Sequence, residues 1–281
     1  MQNPPFIEHL AEIAPRYDAL FCDAWGVVHN GVKLFDGVEE ALLRFRREQG
    51  PVVILTNAPR PSSIIPRQLD RLGLSREAYD SVATSGDATR AEIAARLPAR
   101  AFRLGPDKDD ALYEGLDARF APIEEAGFIV CTGLFDERGE TPDDYRPMLA
   151  GAAERGLAMI CANPDIVVRL GERLIYCAGA LAKVYEELGG EVVYAGKPYK
   201  PIYDLALAKV EEARGGPVAP SRVLAIGDGA RTDIAGANAR GFDAVFIAGA
   251  GGVHEGEEEA IGASLAKVGA TAVAVMEKLQ W

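Results

Sequence analysis

The first candidate for chemistry is Asp23, because the sequence brings this carboxylate to the end of an apolar run. Residues 20–22 are apolar and Gly26 follows three positions after Asp23, as expected for a strand that ends in a tight turn. A strand-terminal aspartate can act as a nucleophile and form an aspartyl-phosphate, but it can equally cap the next element. Where a second carboxylate would complete a nucleophile and acid/base pair, the chain has Trp25. The site could therefore be a working hydrolase, a restricted one or a binding pocket.

Two further carboxylates, Asp228 and Asp233, lie five positions apart between an apolar run and a helix start. Mg²⁺ prefers oxygen ligands and keeps several of its waters, so one carboxylate could bind the ion and the other its water. The segment does not complete a dinucleotide-binding fingerprint, because Thr232 occupies the third glycine position after Gly227 and Gly229. The spacing predicts a magnesium site.

Two more residues have the chemistry to hold a phosphoryl group. Thr56 ends a second apolar run, and its hydroxyl and nearby backbone N–H groups suit phosphoryl oxygens. Lys197, between Gly196 and Pro198, is a compact cation ahead of a helical segment. Capping explains Thr56 about as well, and a lone lysine is more often a solvated surface charge.

The elements that must position these residues alternate between short apolar and longer amphipathic segments. Strands are predicted at 20–22, 52–55, 81–83, 223–226 and 244–247, each followed by a helical or polar segment. This alternation predicts an α/β fold with a doubly wound, mostly parallel sheet. Ligands bind outside the carboxyl ends of such strands, so Asp23, Thr56 and Asp228 are expected to converge.

The middle of the chain, residues 99–191, is predicted to form a separate α/β unit inserted between two halves of one core, 1–98 and 192–281. It has its own strand-like runs and loops rich in glycine and acidic residues, and the strand–helix alternation of the first part resumes after it. Two tandem domains are the alternative. The last ten residues, 272–281, are predicted to form an amphipathic helix.

Together these segments resemble the haloacid dehalogenase-like superfamily of aspartate-nucleophile phosphohydrolases. The resemblance rests on Asp23, the 55–60 and 84–89 segments, Asn163-Pro164-Asp165 and the Asp228/Asp233 motif, and it covers nearly the whole chain. It is closest to the class IIA branch of sugar- and nucleotide-phosphatase-like members, whose large α/β cap is inserted between the second and third motifs. The resemblance implies a Rossmann-like core with an inserted cap domain.

The resemblance also implies a role for each matching residue. Asp23 would attack phosphorus, Thr56 would hydrogen-bond the phosphoryl group, and Lys197 would neutralise its charge. The implied Mg²⁺ ligands are Asp23, the backbone carbonyl of Trp25, Asp228 and, through water, Asp233. The implied substrate contacts are Asn57, Asn163, Asp165 and Gly179.

Trp25 is where the chain departs from the two-aspartate pattern of that superfamily. The missing carboxylate would protonate the leaving oxygen and then activate water, help that is worth about 10²–10⁴ in rate. The charge and positioning contributions of the other residues do not depend on the side chain at 25. The expected function is a Mg²⁺-dependent phosphohydrolase, slow or restricted to substrates such as acyl or aryl phosphates. His29 is a possible substitute base, although hydrogen bonding within the 28–31 turn is its simpler role.

Two other functions stay open from the sequence. One is a non-catalytic or regulatory protein that binds phosphorylated metabolites. The other is cleavage of a carbon–halogen or carbon–phosphorus bond. Dehalogenation needs no metal, which argues against it here, and phosphonate cleavage would need a cap lysine, for which Lys183 is the nearest candidate.

Composition limits the partners and the location. The net charge of −12, without a cluster of Lys and Arg, argues against nucleic acid and an anionic membrane as partners. The dispersed cysteines predict buried free thiols of a reducing compartment, and no segment resembles a leader or a membrane span. A cytoplasmic protein with a small phosphorylated metabolite as partner is expected, and a homodimer is possible because caps of this branch often pair.

Overall fold

Two parallel sheets and one hairpin contain the strands of the computed structural model, which describes residues 4–170, 173–249 and 258–281. The strands are β1 (Ala19–Cys22), β2 (Val52–Thr56), β3 (Ser81–Thr84), β4 (Ala101–Leu104), β5 (Phe128–Cys131), β6 (Ala158–Cys161), β7 (Val167–Leu170), β8 (Arg173–Tyr176), β9 (Glu191–Tyr194), β10 (Val223–Gly227), β11 (Asp243–Ile247) and β12 (Ala274–Met276). The α-helices are α1 (Val38–Glu48), α2 (Ile65–Leu72), α3 (Ser85–Ala94), α4 (Arg146–Glu154), α5 (Ala178–Glu187), α6 (Lys200–Arg214), α7 (Ala235–Ala239) and α8 (Glu258–Lys267).

The larger sheet has six parallel strands in the order β12-β11-β10-β1-β2-β3. The order changes direction between β10 and β1, because β2 and β3 extend the sheet on one side and β10, β11 and β12 extend it on the other. Such a switch point opens a crevice at the carboxyl ends of the strands. The predicted fold class, a doubly wound α/β sheet with a Rossmann-like core, is confirmed.

Both faces of this sheet are buried, which is why its strands are almost continuously apolar. Along β1, Leu20 and Cys22 face one apolar core and Ala19 and Phe21 face the other. Helix α1 covers the first face and helix α6 the second. Their buried residues have the three- and four-residue spacing of one helical face: Val38, Ala41, Leu42 and Phe45 in α1, and Ile202, Tyr203, Ala206 and Val210 in α6.

The smaller sheet has four parallel strands in the order β4-β5-β6-β9. Helices α4 and α5 pack on one of its faces. The predicted boundary between 191 and 192 falls inside β9, whose four residues all pair with β6. We therefore propose that the inserted unit ends after Tyr194 rather than at residue 191.

A two-stranded antiparallel hairpin, β7–β8, follows β6 and precedes α5. Its residues Val167, Val168, Leu170 and Ile175 line the same cavity as Asp23. The hairpin therefore contributes to the environment of Asp23, although it belongs to neither parallel sheet.

The predicted C-terminal helix over 272–281 is wrong. Residues Ala274–Met276 form β12, which pairs in parallel with β11. The backbone N–H of Val273 donates to the carbonyl of Ala244, and that of Val275 donates to the carbonyl of Pro5. A short apolar run fits either period, and here the open edge of the sheet and the N-terminal segment together favour the strand.

Among the helices of the described ranges, none is long and apolar enough to cross a membrane. Cys22, Cys131, Cys161 and Cys177 are all buried and free. Burial raises the pKa of each of these thiols, which keeps them protonated and unreactive.

Candidate active site

The carboxyl ends of β10, β1 and β2 bring three predicted site residues together. Asp23 follows β1, Thr56 ends β2 and Asp228 follows β10, and the three strands are hydrogen-bonded neighbours in register. They border a cavity of about 460 Å³ between the larger sheet, the 163–168 segment and the hairpin. Of the predicted site residues, only Gly179 does not line this cavity.

Lys197 is the centre of the charge network. Its ammonium donates to Oδ1 of Asp23 at 2.6 Å, to Oδ1 of Asp233 at 2.7 Å and to the backbone carbonyl of Leu55 at 3.1 Å. The three protons of the ammonium thus meet three acceptors, although the side chain is only 3% exposed. Burial acts to lower the pKa of Lys197, but Asp23 and Asp233 raise it well above the usual value. The lysine is therefore charged in the folded protein.

Three buried carboxylates, those of Asp23, Asp228 and Asp233, have oxygen atoms within 4.8 Å of one another. Burial and the charge of Asp23 raise the pKa of Asp228 well above its usual value, and burial raises that of Asp23 while Lys197 opposes it. One lysine cannot balance three carboxylates, so the cluster suits an additional cation. An all-oxygen donor set is the type that Mg²⁺ prefers.

The hydrogen bonds distinguish Asp228 from Asp233. Oδ2 of Asp233 accepts from the N–H of Gly229 and from the hydroxyl of Thr232, both at 3.1 Å, while its Oδ1 accepts from Lys197. The carboxylate of Asp228 accepts no hydrogen bond from the described residues. Asp228 is therefore freer to bind an ion directly, whereas Asp233 is held in place by the protein.

The turn after β1 requires glycine at position 26. Gly26 has a φ of +91°, and a Cβ atom there would overlap the carboxylate of Asp228. Glycine alone combines this backbone conformation with such a close approach. The turn after Asp23 therefore packs directly against the carboxylate of Asp228.

Thr56 and Asn57 line the cavity and form hydrogen bonds within the site. The hydroxyl oxygen of Thr56 accepts from the N–H of Ala58 at 3.2 Å, which leaves its proton to be donated. The side chain of Asn57 accepts from the N–H of Lys197 at 2.7 Å and donates to Oδ1 of Asp165 at 3.0 Å. Asn57 thus connects the lysine loop to the 163–165 segment.

The 163–165 segment lines the cavity, but Gly179 lies behind it. Oδ1 of Asn163 accepts from the N–H of Asp165 at 3.1 Å, and the carbonyl of Asn163 accepts from the N–H of Gly179 at 2.8 Å. A Cβ atom at Gly179 would overlap the carbonyl of Pro164. The prediction that Gly179 contacts substrate is therefore corrected: this glycine lets α5 approach the loop that lines the cavity.

The indole of Trp25 is hydrogen-bonded to the hairpin. Its Nε1 donates to the carbonyl of Arg169 at 2.8 Å, and its ring meets that of His29 edge-to-face at 5.3 Å between centroids. The side chain at the position of the missing acid thus joins the turn after β1 to β7.

His29 is engaged in the local hydrogen bond that the sequence favoured. Its Nδ1 accepts from the N–H of Gly31 at 3.0 Å, so the neutral ring carries its proton on Nε2. The ring is buried, and burial lowers its pKa to about 4. A neutral imidazole whose lone pair is already used is poorly suited to act as a base.

Sequence reasoning missed an ion pair in the cavity wall. Nε of Arg60 donates to Oδ1 of Asp109 at 3.0 Å, and Asp109 is buried although it lies in an acid-rich loop. Lys108 and Glu137 form a second pair beside it. The position of Arg60 next to Thr56 and Asn57 was the only sequence signal, because the partners come from distant segments.

The chain is similar to known hydrolases over nearly its whole length. The haloacid dehalogenase-like hydrolase family matches residues 20–119, and a HAD-hydrolase-like family matches residues 194–275. A hydrolase of the haloacid dehalogenase-like family from Brucella suis is 45% identical, with a TM-score of 0.89, over 98% of this chain and 100% of that one.

Two more distant structures share the fold. A possible sugar phosphatase of the HAD superfamily from Cytophaga hutchinsonii is 21% identical, with a TM-score of 0.81, over 98% of both chains. A glycerol phosphate phosphatase from Mycobacterium tuberculosis, in complex with calcium, is 24% identical, with a TM-score of 0.62, over 84% of this chain and 67% of that one. No curated protein matches the chain.

Proposed function

Because the chain belongs to the haloacid dehalogenase-like hydrolases, we propose that it is a Mg²⁺-dependent phosphohydrolase that acts on a small phosphorylated metabolite. The observation that carries the proposal is the buried ammonium of Lys197, which lies 2.6 Å from Asp23 and 2.7 Å from Asp233 within a cluster of carboxylates. A nucleophile, a cation and a metal-binding group are thereby close together, as phosphoryl transfer requires.

In the first step, an oxygen of Asp23 forms a bond to phosphorus while the bond from phosphorus to the ester oxygen breaks. The ester oxygen leaves with the electron pair of that bond. Thr56 donates a hydrogen bond to the phosphoryl group, and Lys197 neutralises its charge. Position 25 has no carboxylate to protonate the leaving oxygen, which takes its proton from solvent after departure. Acyl and aryl phosphates, whose leaving oxygens are stable as anions, are therefore favoured.

In the second step, a water oxygen forms a bond to phosphorus and the bond from phosphorus to Asp23 breaks. The carboxylate of Asp23 is regenerated, and the water proton passes to the released phosphate or to solvent. The acid/base group missing at position 25 would also have activated this water. The second step is therefore slow for every substrate, whatever its leaving group.

The residues that would hold Mg²⁺ are Asp23, the backbone carbonyl of Trp25, Asp228 and, through water, Asp233. The absence of a hydrogen bond to Asp228 from the described residues, and the engagement of both oxygens of Asp233, support this division of roles. The bound ion would supply positive charge that offsets the charge on the phosphoryl oxygens.

The substrate is expected to be small, because residues 99–194 act as a cap over the cavity. Asn57, Asn163 and Asp165 are the proposed contacts to the substrate, and they line the cavity together. The names of the two distant relatives, a sugar phosphatase and a glycerol phosphate phosphatase, support a small phosphate ester. A cytoplasmic location, which the buried free thiols support, and a homodimer complete the proposal.

A second function, binding of a phosphorylated metabolite without turnover, is favoured by one observation. Trp25 stands where a second carboxylate would act as acid and base, and its indole donates a hydrogen bond to the carbonyl of Arg169. Such a protein would gain thermal stability from ligand or metal without releasing phosphate.

The test is a phosphate-release screen over phosphorylated metabolites with Mg²⁺, repeated with a chelator. Phosphate release from at least one ester, lost with the chelator, is the expected result. Ligand-induced stabilisation with no turnover of any ester would favour the binding function instead. Turnover that persists in the chelator would contradict the metal requirement.

A further inference from the structure

Part of the lining of the cavity beside Asp23 is an apolar wall. The side chains of Trp25, Ile65, Ile166, Val168, Leu170 and Ile175 line it. They come from the turn after β1, from α2 and from the segment of the hairpin, so distant parts of the chain build one surface. None of the five aliphatic side chains in this wall can form a hydrogen bond with a bound ligand.

The indole of Trp25 is the fixed part of this wall. Its only polar atom, Nε1, donates to the carbonyl of Arg169 at 2.8 Å, and the edge of its ring lies over Gly31. A Cβ atom at position 31 would overlap the indole and would lie 2.9 Å from Cδ1 of Leu170. Trp25 and Leu170 therefore both lie close to Gly31, where a side chain would leave no room for them. The turn after β1 and the hairpin are in contact at this position.

The leaving group of a bound phosphate ester can reach this wall, because the wall lines the same cavity as Asp23, Thr56 and Lys197. A phosphoryl group held by Asp23, Thr56 and Lys197 occupies the floor of the cavity, because these residues lie at the ends of the strands or directly beside them. The ester substituent then extends into the rest of the cavity, which is lined by these apolar side chains and also by polar ones such as Arg60, Asn163 and Asp165. Burying a hydroxylated substituent against an apolar wall is costly unless each hydroxyl finds a partner.

We propose that Trp25 is a specificity-determining residue and that the substrates are phosphate monoesters of aromatic hydroxyl compounds. The inference rests on the proposed phosphohydrolase function and names its substrate class. A planar ring packs on the indole and on the aliphatic side chains beside it, as aromatic pairs do. The oxygen of an aromatic hydroxyl also leaves without needing a proton donor. Trp25, which stands in place of the acid, would thus favour substrates that do not need that acid.

The experiment compares phenyl, benzyl, cyclohexylmethyl and glycerol phosphates. Phenyl and benzyl phosphates differ in the leaving oxygen, benzyl and cyclohexylmethyl phosphates in the planarity of the ring, and glycerol phosphate lacks apolar surface. We expect a KM for benzyl phosphate about 3- to 10-fold below that for cyclohexylmethyl phosphate, and the highest KM for glycerol phosphate. A phenyl-to-benzyl difference should appear in kcat instead.

Variants separate the indole from the rest of the wall. Trp25→Leu should remove the preference for benzyl over cyclohexylmethyl phosphate, whereas Trp25→Phe should retain it. Leu174→Ala is the matched control, because Leu174 lies on the same hairpin but is 58% exposed and outside the cavity lining. Equal KM values for benzyl and glycerol phosphates in the unaltered protein, or a preference that survives Trp25→Leu, would overturn the inference.

A binding measurement keeps this test independent of turnover. The chain has two tryptophans, so Trp281→Phe leaves Trp25 as the single indole fluorophore. Benzylphosphonate, which a phosphatase cannot hydrolyse, should change its fluorescence in a saturable manner, and methylphosphonate at the same concentrations should not. If no ester is hydrolysed, the phosphohydrolase proposal fails while the fluorescence result still decides whether the wall binds an aromatic ring. Equal responses to the two phosphonates would contradict the inference.

Discussion

Lys197 balances buried negative charge that would otherwise destabilise the fold. Its ammonium contacts Asp23 and Asp233, and all three side chains are less than 10% exposed. Removing one partner of a buried ion pair leaves an uncompensated charge, which typically costs about 3–5 kcal/mol. At the scale of single residues, Lys197 is therefore expected to stabilise the fold in addition to its proposed role in binding phosphate.

Lys197→Met should lower the free energy of unfolding by about 3–5 kcal/mol in metal-free buffer, as measured by urea denaturation. The matched control is Lys200→Met, because Lys200 is exposed and, among the residues that the structure describes, pairs only with Asp204. Its effect should stay below about 1 kcal/mol. Similar losses in the two variants would show that the buried pairing is not what stabilises the site.

His29 should make stability depend on pH. Burial lowers its folded-state pKa from 6.5 to about 4. The unfolded state binds the extra proton between these values, so this contribution is complete above about pH 6.5 and is lost as the pH falls towards 4. At pH 5 the loss should be on the order of 2 kcal/mol relative to pH 7.

The check for His29 is urea denaturation at pH 7 and pH 5 in the unaltered protein and in His29→Asn. Asparagine offers an acceptor for the N–H of Gly31 but does not titrate. Its loss of stability between the two pH values should be smaller by about 2 kcal/mol. An equal loss in both proteins would assign the pH dependence to other groups.

At the scale of elements, the turn after β1 connects Asp23, the proposed nucleophile, to Asp228, a proposed metal ligand. Gly26 and Gly189 both have positive φ, but a Cβ atom would overlap Asp228 only at position 26, while position 189 is open. Gly26→Ala and Gly189→Ala should each cost about 1–2 kcal/mol of backbone strain. Only Gly26→Ala should also weaken Mg²⁺ binding, measured by titration calorimetry. Equal Mg²⁺ affinities in the two variants would contradict the fit between this turn and Asp228.

The sequence predicted five of the six strands of the larger sheet, because each of the five contains a short apolar run followed by a polar or small residue. Strands β1, β2, β3, β10 and β11 are of this type, and their carboxyl ends could be placed together from the fold class alone. Strands β4, β7 and β9 were not predicted. They contain half-exposed or charged residues, such as Arg103, Arg169 and Glu191, which interrupt the apolar pattern.

The same distinction applies to the site. Asp23, Thr56, Asp228 and Asp233 could be proposed from residue type and spacing, because three of them follow or end neighbouring strands. The role of Lys197 came only from the resemblance to the family, since a lone lysine is more often a surface charge. The contact of Trp25 with Arg169 and the pair of Arg60 with Asp109 could not be predicted. Both depend on how the hairpin and the 107–113 segment lie over the cavity, which no local pattern specifies.

At the scale of the whole molecule, the carboxylates that are proposed to bind Mg²⁺ should destabilise the fold when no metal is bound. Asp228 shares a small volume with Asp23 and Asp233, and its raised pKa reflects burial and the charge of Asp23. Asp228→Asn should therefore raise the melting temperature in chelator, because it removes like-charge repulsion. With excess Mg²⁺ the order should reverse, since only the unaltered protein gains binding free energy. Parallel gains in both proteins on adding Mg²⁺, measured by differential scanning calorimetry, would argue against Asp228 as a ligand.

The most direct test of a phosphohydrolase with Asp23 as nucleophile and no acid/base group at 25 is rapid-quench kinetics with phenyl phosphate. The first step needs no proton donor and the second lacks its base, so phosphorylated Asp23 should accumulate. We predict a burst of about one phenol per active site before slow steady release. Labelled phosphate should remain on the quenched protein, but not on Asp23→Asn, and Trp25→Asp should abolish the burst. Phosphate release by purified Asp23→Asn, or label on that variant, would contradict the account.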